Sequence, residues 1–281
     1  MREKIALLAD SACDISTEIC QKMKINIIPL KVVYPEASYL DRVDIQPDEV
    51  YSRMPAEIPT TSMPSLDEIK TAVDRIRDEG FTHVLAITLS SKFSGTFQAI
   101  NVVANEIEDM KISTFDSKTL SYSTGWMVLE AAQSIADGMN MEKILKNLEG
   151  MRSKVNIYYV LETLEYLRRG GRIGAVSAML GEFLHFKPII AVDDEGKYFI
   201  HSKTRGRKKS IERLMNIVEQ KSQEKPIKLA VLQGGAKKEG EKMLEHLRKL
   251  PNIQEIVFSD ITPTLGVHTG PGLLGVSICE V

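Results

Sequence analysis

The stretch HVLAITLSSKFSGTFQAI, residues 83–100, decides how the fold is read. From His83 to Leu89 it is a nearly unbroken apolar run, the pattern of a parallel strand buried on both faces. The polar segment Ser90-Ser91-Lys92-Phe93-Ser94-Gly95 closes that run, and a helix is expected from about Thr96 to Glu108. Strand, loop and helix in this order make one unit of a parallel α/β sheet.

The same rhythm extends in both directions. IALLA (5–9) is a short apolar run that stops at Asp10-Ser11, and KISTFD (111–116) is a further strand. NIIPLKVVY (26–34) is rich in strand formers, with Pro29 marking an edge, a bend or a break between two short strands. Ser65-Leu66-Asp67-Glu68 has the spacing of a capping box, in which the Ser65 hydroxyl and the Glu68 carboxylate satisfy free amides at a helix start. Ile69, Val73 and Ile76 follow at helical spacing, and another helix is expected from about Thr124 to Asp137. Residues 1–153 therefore read as a doubly wound parallel sheet with helices on both faces. MEKILKNLEGMRS (141–153) is an amphipathic helix leading out of it.

Residues 154–281 change rhythm. NIYYVL (156–161) reads as a strand, ETLEYLRRGG (162–171) as a helix stopped by glycines, and AVSAMLGEFL (175–184) as a mostly apolar helix. KPIIAVDDEGKYFIHSK (187–203) has the form of a hairpin turning near Asp194-Glu195-Gly196. A helix from about Arg207 to Ser222 precedes strand IKLAVLQG (227–234), helix KKEGEKMLEHLRKL (237–250) and strand IQEIVFSD (253–260), and LLGVSICEV (273–281) ends in a strand. A hairpin among helices implies a mixed or antiparallel second sheet. The fold class is α/β in two domains, with a ligand expected in the crevice between them.

Bulk properties agree. At roughly 150 residues per domain, a chain of 281 residues makes about two domains. Hydrophobic residues are 43% and charged residues 26%, as in ordinary soluble globular proteins. Lys plus Arg (36) and Asp plus Glu (38) leave a formal charge of −2, which argues against nucleic acid as a partner. Cys13, Cys20 and Cys279 form no CxxC pair and are too few for a disulfide framework or a zinc site. The N-terminal apolar run is too short for a signal peptide and no stretch approaches a membrane span, so a cytoplasmic protein without stable membrane insertion is expected.

Polar residues collect where strands or loops lead into helices: Asp10 to Asp14, Thr60 to Ser65, Ser90 to Thr96 and Asp116 to Thr119. The crevice beyond the carboxyl ends of the strands is where such sheets bind ligands. At Ser94-Gly95-Thr96 the amides at a helix N-terminus suit a carboxylate or phosphate, and Gly95 permits close approach. Taken singly, each segment reads first as caps and turns, and it is the four together that point to a site. Asp10 and Asp14 read as turn and cap residues, with Asp10 placed to order neighbouring hydroxyls. His83, His185, His201 and His246 fall in strand or helix patterns, whereas His268 lies in TPTLGVHTGPG (262–272), read as a Gly- and Pro-rich ligand loop. GxSxG, P-loop, GxGxxG and HExxH motifs are all missing. Two basic clusters, RRGGR (168–172) and KTRGRKK (203–209), read as solvated faces, with Arg172 and Arg205 beside glycine and able to meet a carboxylate or phosphate.

Taken together, PTTSMPS (59–65), SSKFSGTFQ (90–98), DSKTLSYSTG (116–125), LETLEYLRRGGRIG (161–174), KPII (187–190) and GVHTGPGLLGV (266–276) closely resemble the DegV family, in order and over essentially the whole chain. The resemblance implies a bacterial two-domain fatty-acid-binding protein, the lipid-carrying, non-catalytic subunit of a fatty acid kinase. There, a separate ATP-dependent kinase subunit converts the bound carboxyl group to an acyl phosphate for phospholipid synthesis. It implies no cofactor beyond the bound long-chain fatty acid. It assigns the carboxylate to Thr61, Ser94 and His268, with Ser62, Gly95 and Thr269 as neighbours, and partner docking or phosphate steering to Arg172 and Arg205. Met63 stands where many relatives have Gln.

A long acyl tail needs a dry tunnel, since each buried methylene is worth about 0.8 kcal/mol. Met179, Leu180, Phe183, Leu184 and Ile189 are the expected tunnel residues, although ordinary core reads equally well from the pattern. Two rival readings remain open at this level: a serine hydrolase or acyltransferase with Ser94 as nucleophile and His268 as base, and a DNA-associated regulator.

Overall fold

The computed structural model describes residues 3–181 and 186–281. The chain starts with β1 (Ile5–Asp10), α1 (Thr17–Lys22) and β2 (Ile25–Ile28), followed by β3 (Lys31–Val33), β4 (Ser38–Leu40), α2 (Pro47–Arg53) and β5 (Thr60–Ser62). Then come α3 (Leu66–Asp78), β6 (His83–Thr88), α4 (Thr96–Glu106), β7 (Lys111–Asp116), α5 (Tyr122–Ala136) and α6 (Met141–Met151). The second half holds β8 (Val155–Val160), α7 (Glu165–Arg169), a 3-10 turn (Gly174–Met179), β9 (Ile189–Val192), β10 (Tyr198–Ser202) and α8 (Arg207–Glu224). It closes with β11 (Ile227–Gly234), α9 (Lys237–Leu247), β12 (Ile253–Asp260), α10 (Pro263–Thr269) and β13 (Leu273–Glu280).

A parallel sheet in the order β2-β1-β6-β7 carries the first half. Its central strands are apolar from Ile5 to Ala9 and from Val84 to Ile87 because both faces are covered. Ala6, Leu8, Val84 and Ala86 pack on Ile69, Val73 and Ile76 of α3 and on Ile100 and Val103 of α4. Leu7, Ala9, Leu85 and Ile87 face the other way, into a core shared with Met127, Val128 and Ala131 of α5. That core continues into Ile157, Tyr159, Ala230 and Leu232 of the second sheet, so α5 lies between the two sheets. The second sheet runs β10-β9-β8-β13-β11-β12, antiparallel except for the parallel pair β11/β12. Its far face packs on Leu214, Ile217 and Val218 of α8 and on Met243 and Leu247 of α9.

The expected α/β architecture is therefore present, and the capping box at Ser65 and Glu68 forms as read. Pro29 does divide the segment 26–34, sending β2 to the parallel sheet and β3 to a small sheet, β4-β3-β5. Two expectations need correction. Most of residues 262–272 is not a loop: Thr262 and Pro263 start helix α10, which ends at Gly270, where φ is 70°, and only 270–272 remain a turn. Proline at the first helical position costs no hydrogen bond, which is why a Pro-rich string can be helical. The helix expected at 175–184 is a 3-10 turn as far as Met179, and Phe183, Leu184 and His185 lie outside the described residues.

Among the strands of the parallel sheet, β1 is first in the chain and β6 third, and they are neighbours. The strand order thus reverses between them, and ligands bind at such a switch point beyond the carboxyl ends. Asp10, at the end of β1, accepts the Leu89 amide at 2.8 Å and ties the two ends together. Asp10 also accepts the Ala12 amide at 3.1 Å, so it orders backbone amides rather than the hydroxyls expected of it.

Candidate functional site

At this switch point lies a cavity of about 400 Å³, within the range of small-molecule sites. Four separate pieces of chain supply its polar groups. β5 brings Thr61 and Ser62, because pairing with Val32 of β3 holds Thr61 in an extended strand. The loop before α4 brings Ser94 and Gly95, α10 brings Thr264 and His268, and the segment after α7 brings Arg172.

The Thr61 hydroxyl and His268 Nε2 are 2.8 Å apart. His268 Nδ1 has no partner among the described residues and faces Gly170, where a Cβ would lie 2.1 Å away. An orphaned buried N–H costs more than an orphaned acceptor, so the ring proton belongs on Nε2, which donates to Thr61. The Thr61 proton is then free to point into the cavity. Enclosure of the ring, reinforced by the positive Arg172, pushes the His268 pKa down to about 4, so the imidazole is neutral at physiological pH.

Ser94 Oγ accepts the Thr96 amide at 3.3 Å and lies 2.8 Å from Thr96 Oγ1. Gly95 is the N-cap of α4 and has no side chain to cap it, so Ser94 bonds only the first amide, that of Thr96, from one residue before. The open amides and dipole of that terminus therefore sit in the cavity wall, an arrangement that favours an anion. Met63 covers Gly95 so closely that a Cβ there would be 2.9 Å from its sulfur. Arg172 donates to the carbonyls of Gly170 at 2.6 Å and Phe93 at 3.2 Å. Arg172, expected to dock a partner or to steer phosphate, forms part of the cavity wall.

The exposed part of the cavity lining is mostly polar and the buried part mostly apolar. Ser62, Met63 and Gly95 at the mouth are exposed, while Leu30, Leu89, Leu120, Leu265 and Tyr198 at the floor are buried. Leu120, Tyr198 and Leu265 also bound a smaller void behind, lined with Ile157, Leu232, Ile261 and Leu273. Tyr198 stacks on Phe93 with ring centroids 4.2 Å apart, coupling the hairpin β9–β10 to the loop that carries Ser94.

Of the expected tunnel residues, Met179, Leu180 and Ile189 are not among those lining this cavity, and Phe183 and Leu184 lie outside the described residues. Leu180 is 44% exposed, and Met179 is fully buried in the shared core. Ile189 points to the opposite face of the second sheet, towards α8, because neighbouring strand residues alternate and Ile190 takes the inner side. Thr269 donates to the Leu265 carbonyl at 3.0 Å and borders the rear void rather than the mouth. Arg205 is exposed and outside the cavity. Leu30, Leu120, Tyr198, Thr264 and Leu265 were not foreseen. Only Thr264, in a Thr-Pro-Thr helix start, left a trace in the sequence.

The hydrolase reading needs a bond from Ser94 to His268. Here Ser94 pairs with Thr96 and His268 with Thr61, so the nucleophile–base pair is not formed. Among the described residues no cluster of His, Cys, Asp or Glu could hold a metal ion, and no helix is long and apolar enough to cross a membrane.

The chain is similar to known proteins over nearly its whole length. A family model described as "uncharacterised protein, DegV family" matches residues 4–281. A DegV domain-containing protein of Clostridium perfringens is 41% identical over 276 residues, covering 98% of each chain. The structure of DegV of Bacillus subtilis, described as a fatty acid binding protein, superposes with a TM-score of 0.92 at 30% identity, covering 99% of this chain and 100% of that one. A stearic acid-binding protein of Eubacterium ventriosum gives 0.87 at 27% identity, with 98% of each chain covered.

Proposed function

The chain belongs to the DegV family, and on that footing we propose that it binds one long-chain fatty acid, carboxylate at the mouth of the cavity and tail over the apolar floor. The observation that carries this reading is the division of one cavity lining into an exposed, mostly polar part and a buried, mostly apolar part, which matches an amphiphile and no uniformly polar substrate. The solved relatives described as fatty-acid-binding support the same ligand class.

Thr61 and Ser94 offer hydroxyls and the α4 start offers amides, so the carboxylate is held by neutral donors. Neutral donors leave the bound oxygen more basic than a tight bidentate ion pair would. Such an oxygen remains able to attack the γ-phosphorus of ATP held by a separate kinase subunit. A new P–O bond forms, the bond to the β-phosphate oxygen breaks, and ADP leaves with that electron pair. The product is an acyl phosphate, the form in which the chain enters phospholipid synthesis. Arg172 lies in the wall beside the head group, suited to steering the incoming phosphate, and exposed Arg205 is a docking residue for the kinase.

Mass spectrometry of lipids extracted from the denatured protein tests the carrier reading. A fatty acid at near one per chain is expected. A protein that is empty, and stays empty when offered fatty acids, would refute it. For docking, Arg205→Glu should slow acyl phosphate formation without changing lipid content, and an unchanged rate would remove that role.

A further inference from the structure

Asp41 bonds α10 at Thr264, is not among the residues lining the cavity, and is 1% exposed. Its Oδ2 accepts two hydroxyl protons, from Ser11 at 2.6 Å and from Thr264 at 2.5 Å, while Oδ1 has no partner among the described residues. A second buried carboxylate, Asp14, accepts the Thr262 amide at 2.7 Å, at the N-cap of the same helix. Both acids belong to the first half of the chain and the helix to the second. α10 has seven residues, too few to hold its own orientation, so these bonds help to set it. Thr264 and His268 are four residues apart on one face of α10, and both line the cavity.

We propose that Asp41 is a positioning residue of the ligand cavity: by taking the Thr264 proton it fixes the face of α10 that sets His268 against Thr61, and it makes Thr264 an acceptor instead of a donor. This rests on the fatty-acid reading for its ligand but not for its geometry. The hydroxyl proton of Thr264 is committed, so only lone pairs remain to face the cavity and Thr262, whose Oγ1 is 3.3 Å away. A carboxylate avoids an acceptor and settles on the side where Thr61 and Ser94 still have protons to give. Asp41 thereby gives the polar end of the cavity a direction. Its second job is structural and uses the same oxygen: Ser11 donates to Asp41 and accepts the Leu30 amide at 3.0 Å, holding another wall residue in place.

The cost of the arrangement supports a dedicated role. A carboxylate this deeply buried loses its hydration, and its unpaired oxygen is not repaid. Burial raises its pKa, and Asp10 and Asp14 nearby share the same penalty, with values pushed up to about 7 and about 6.

The test reads His268 in delipidated protein carrying nitrogen-labelled histidine, with the ring signals assigned through His268→Gln, alongside stearate affinity. Asp41→Leu, which keeps the branched shape at a larger volume, and Thr264→Val, which is nearly isosteric, each delete the hydrogen bond. Each should shift the His268 Nε2 signal and weaken stearate binding about tenfold, and the double variant should be no worse than either single one. Asp41→Asn, which keeps an acceptor for Thr264, should restore the His268 signal. Should Asp41→Leu fail to fold, Thr264→Val decides alone. An unmoved His268 signal in Thr264→Val, or fully additive losses in the double variant, would overturn the proposal. Absence of stearate binding in the wild type would instead refute the ligand, leaving the histidine spectrum to judge the positioning.

Discussion

The Thr61 hydroxyl and the His268 ring meet at 2.8 Å across 207 residues of chain. One partner sits on a three-residue strand and the other in the last turn of a seven-residue helix, so neither element is rigid by itself. What holds them is close packing behind the ring. Gly170 touches His268 on one side, and Gly270 leaves room for the Tyr166 ring, which would lie 2.0 Å from a Cβ at that position.

Gly170→Ala tests that packing. Gly170 has φ −74°, so alanine is free of backbone strain there, yet its Cβ would fall 2.1 Å from His268 Nδ1. Displacement of the ring, loss of the Thr61 bond and at least tenfold weaker fatty-acid binding are expected, on the order of one lost hydrogen bond. Gly150→Ala, in α6 with nothing within 4 Å, should leave binding unchanged and raise stability by about 0.5–1 kcal/mol. Titration of both variants with stearate provides the comparison.

The depressed pKa of His268 makes a pH prediction. The folded value of about 4 lies below the ordinary 6.5, so at intermediate pH the unfolded chain binds a proton that the folded chain refuses. This contribution to stability is complete above pH 6.5 and is lost as pH falls towards 4, at about 1.4 kcal/mol per unit. Urea unfolding from pH 7 to pH 4.5 should therefore show a steeper loss in the wild type than in His268→Gln. Parallel profiles would mean that the ring is not held neutral.

Leu120 lines both the main cavity and the void behind it. Leu120→Trp should fill the floor of the cavity and lower fatty-acid content severalfold while every head-group residue stays in place. Overpacking of this kind typically costs about 1–3 kcal/mol of stability, which a thermal melt will register. Full retention of a long acyl chain would show that the tail runs elsewhere.

The fold was legible because parallel strands buried on both faces leave continuous apolar runs, as at 5–9 and 83–89, and because Ser65 and Glu68 announce a helix start. The small sheet β4-β3-β5 left no such mark, since its three-residue strands are too short for alternation to register. Helix α10 was hidden by Pro263 and Gly266. The proline occupies the first helical position, and the glycine is needed there because a Cβ would lie 2.7 Å from the Tyr51 hydroxyl. At the site, Thr61, Ser94 and His268 were foreseen through family motifs, and the structure brings all three to one cavity. The floor was not foreseen. Leu30, Leu120, Tyr198 and Leu265 come from distant parts of the chain, and periodicity tells which face of an element is buried without telling what lies opposite.

The most direct measurement is carbon NMR of carboxyl-labelled stearate added to delipidated protein. A single bound carboxyl resonance is expected, saturating at one per chain, displaced from the free signal, and lost or moved in Thr61→Val and Ser94→Ala. A wild-type spectrum containing only free stearate at saturating ligand, or a bound signal indifferent to both substitutions, would contradict a carboxylate held at the mouth of this cavity.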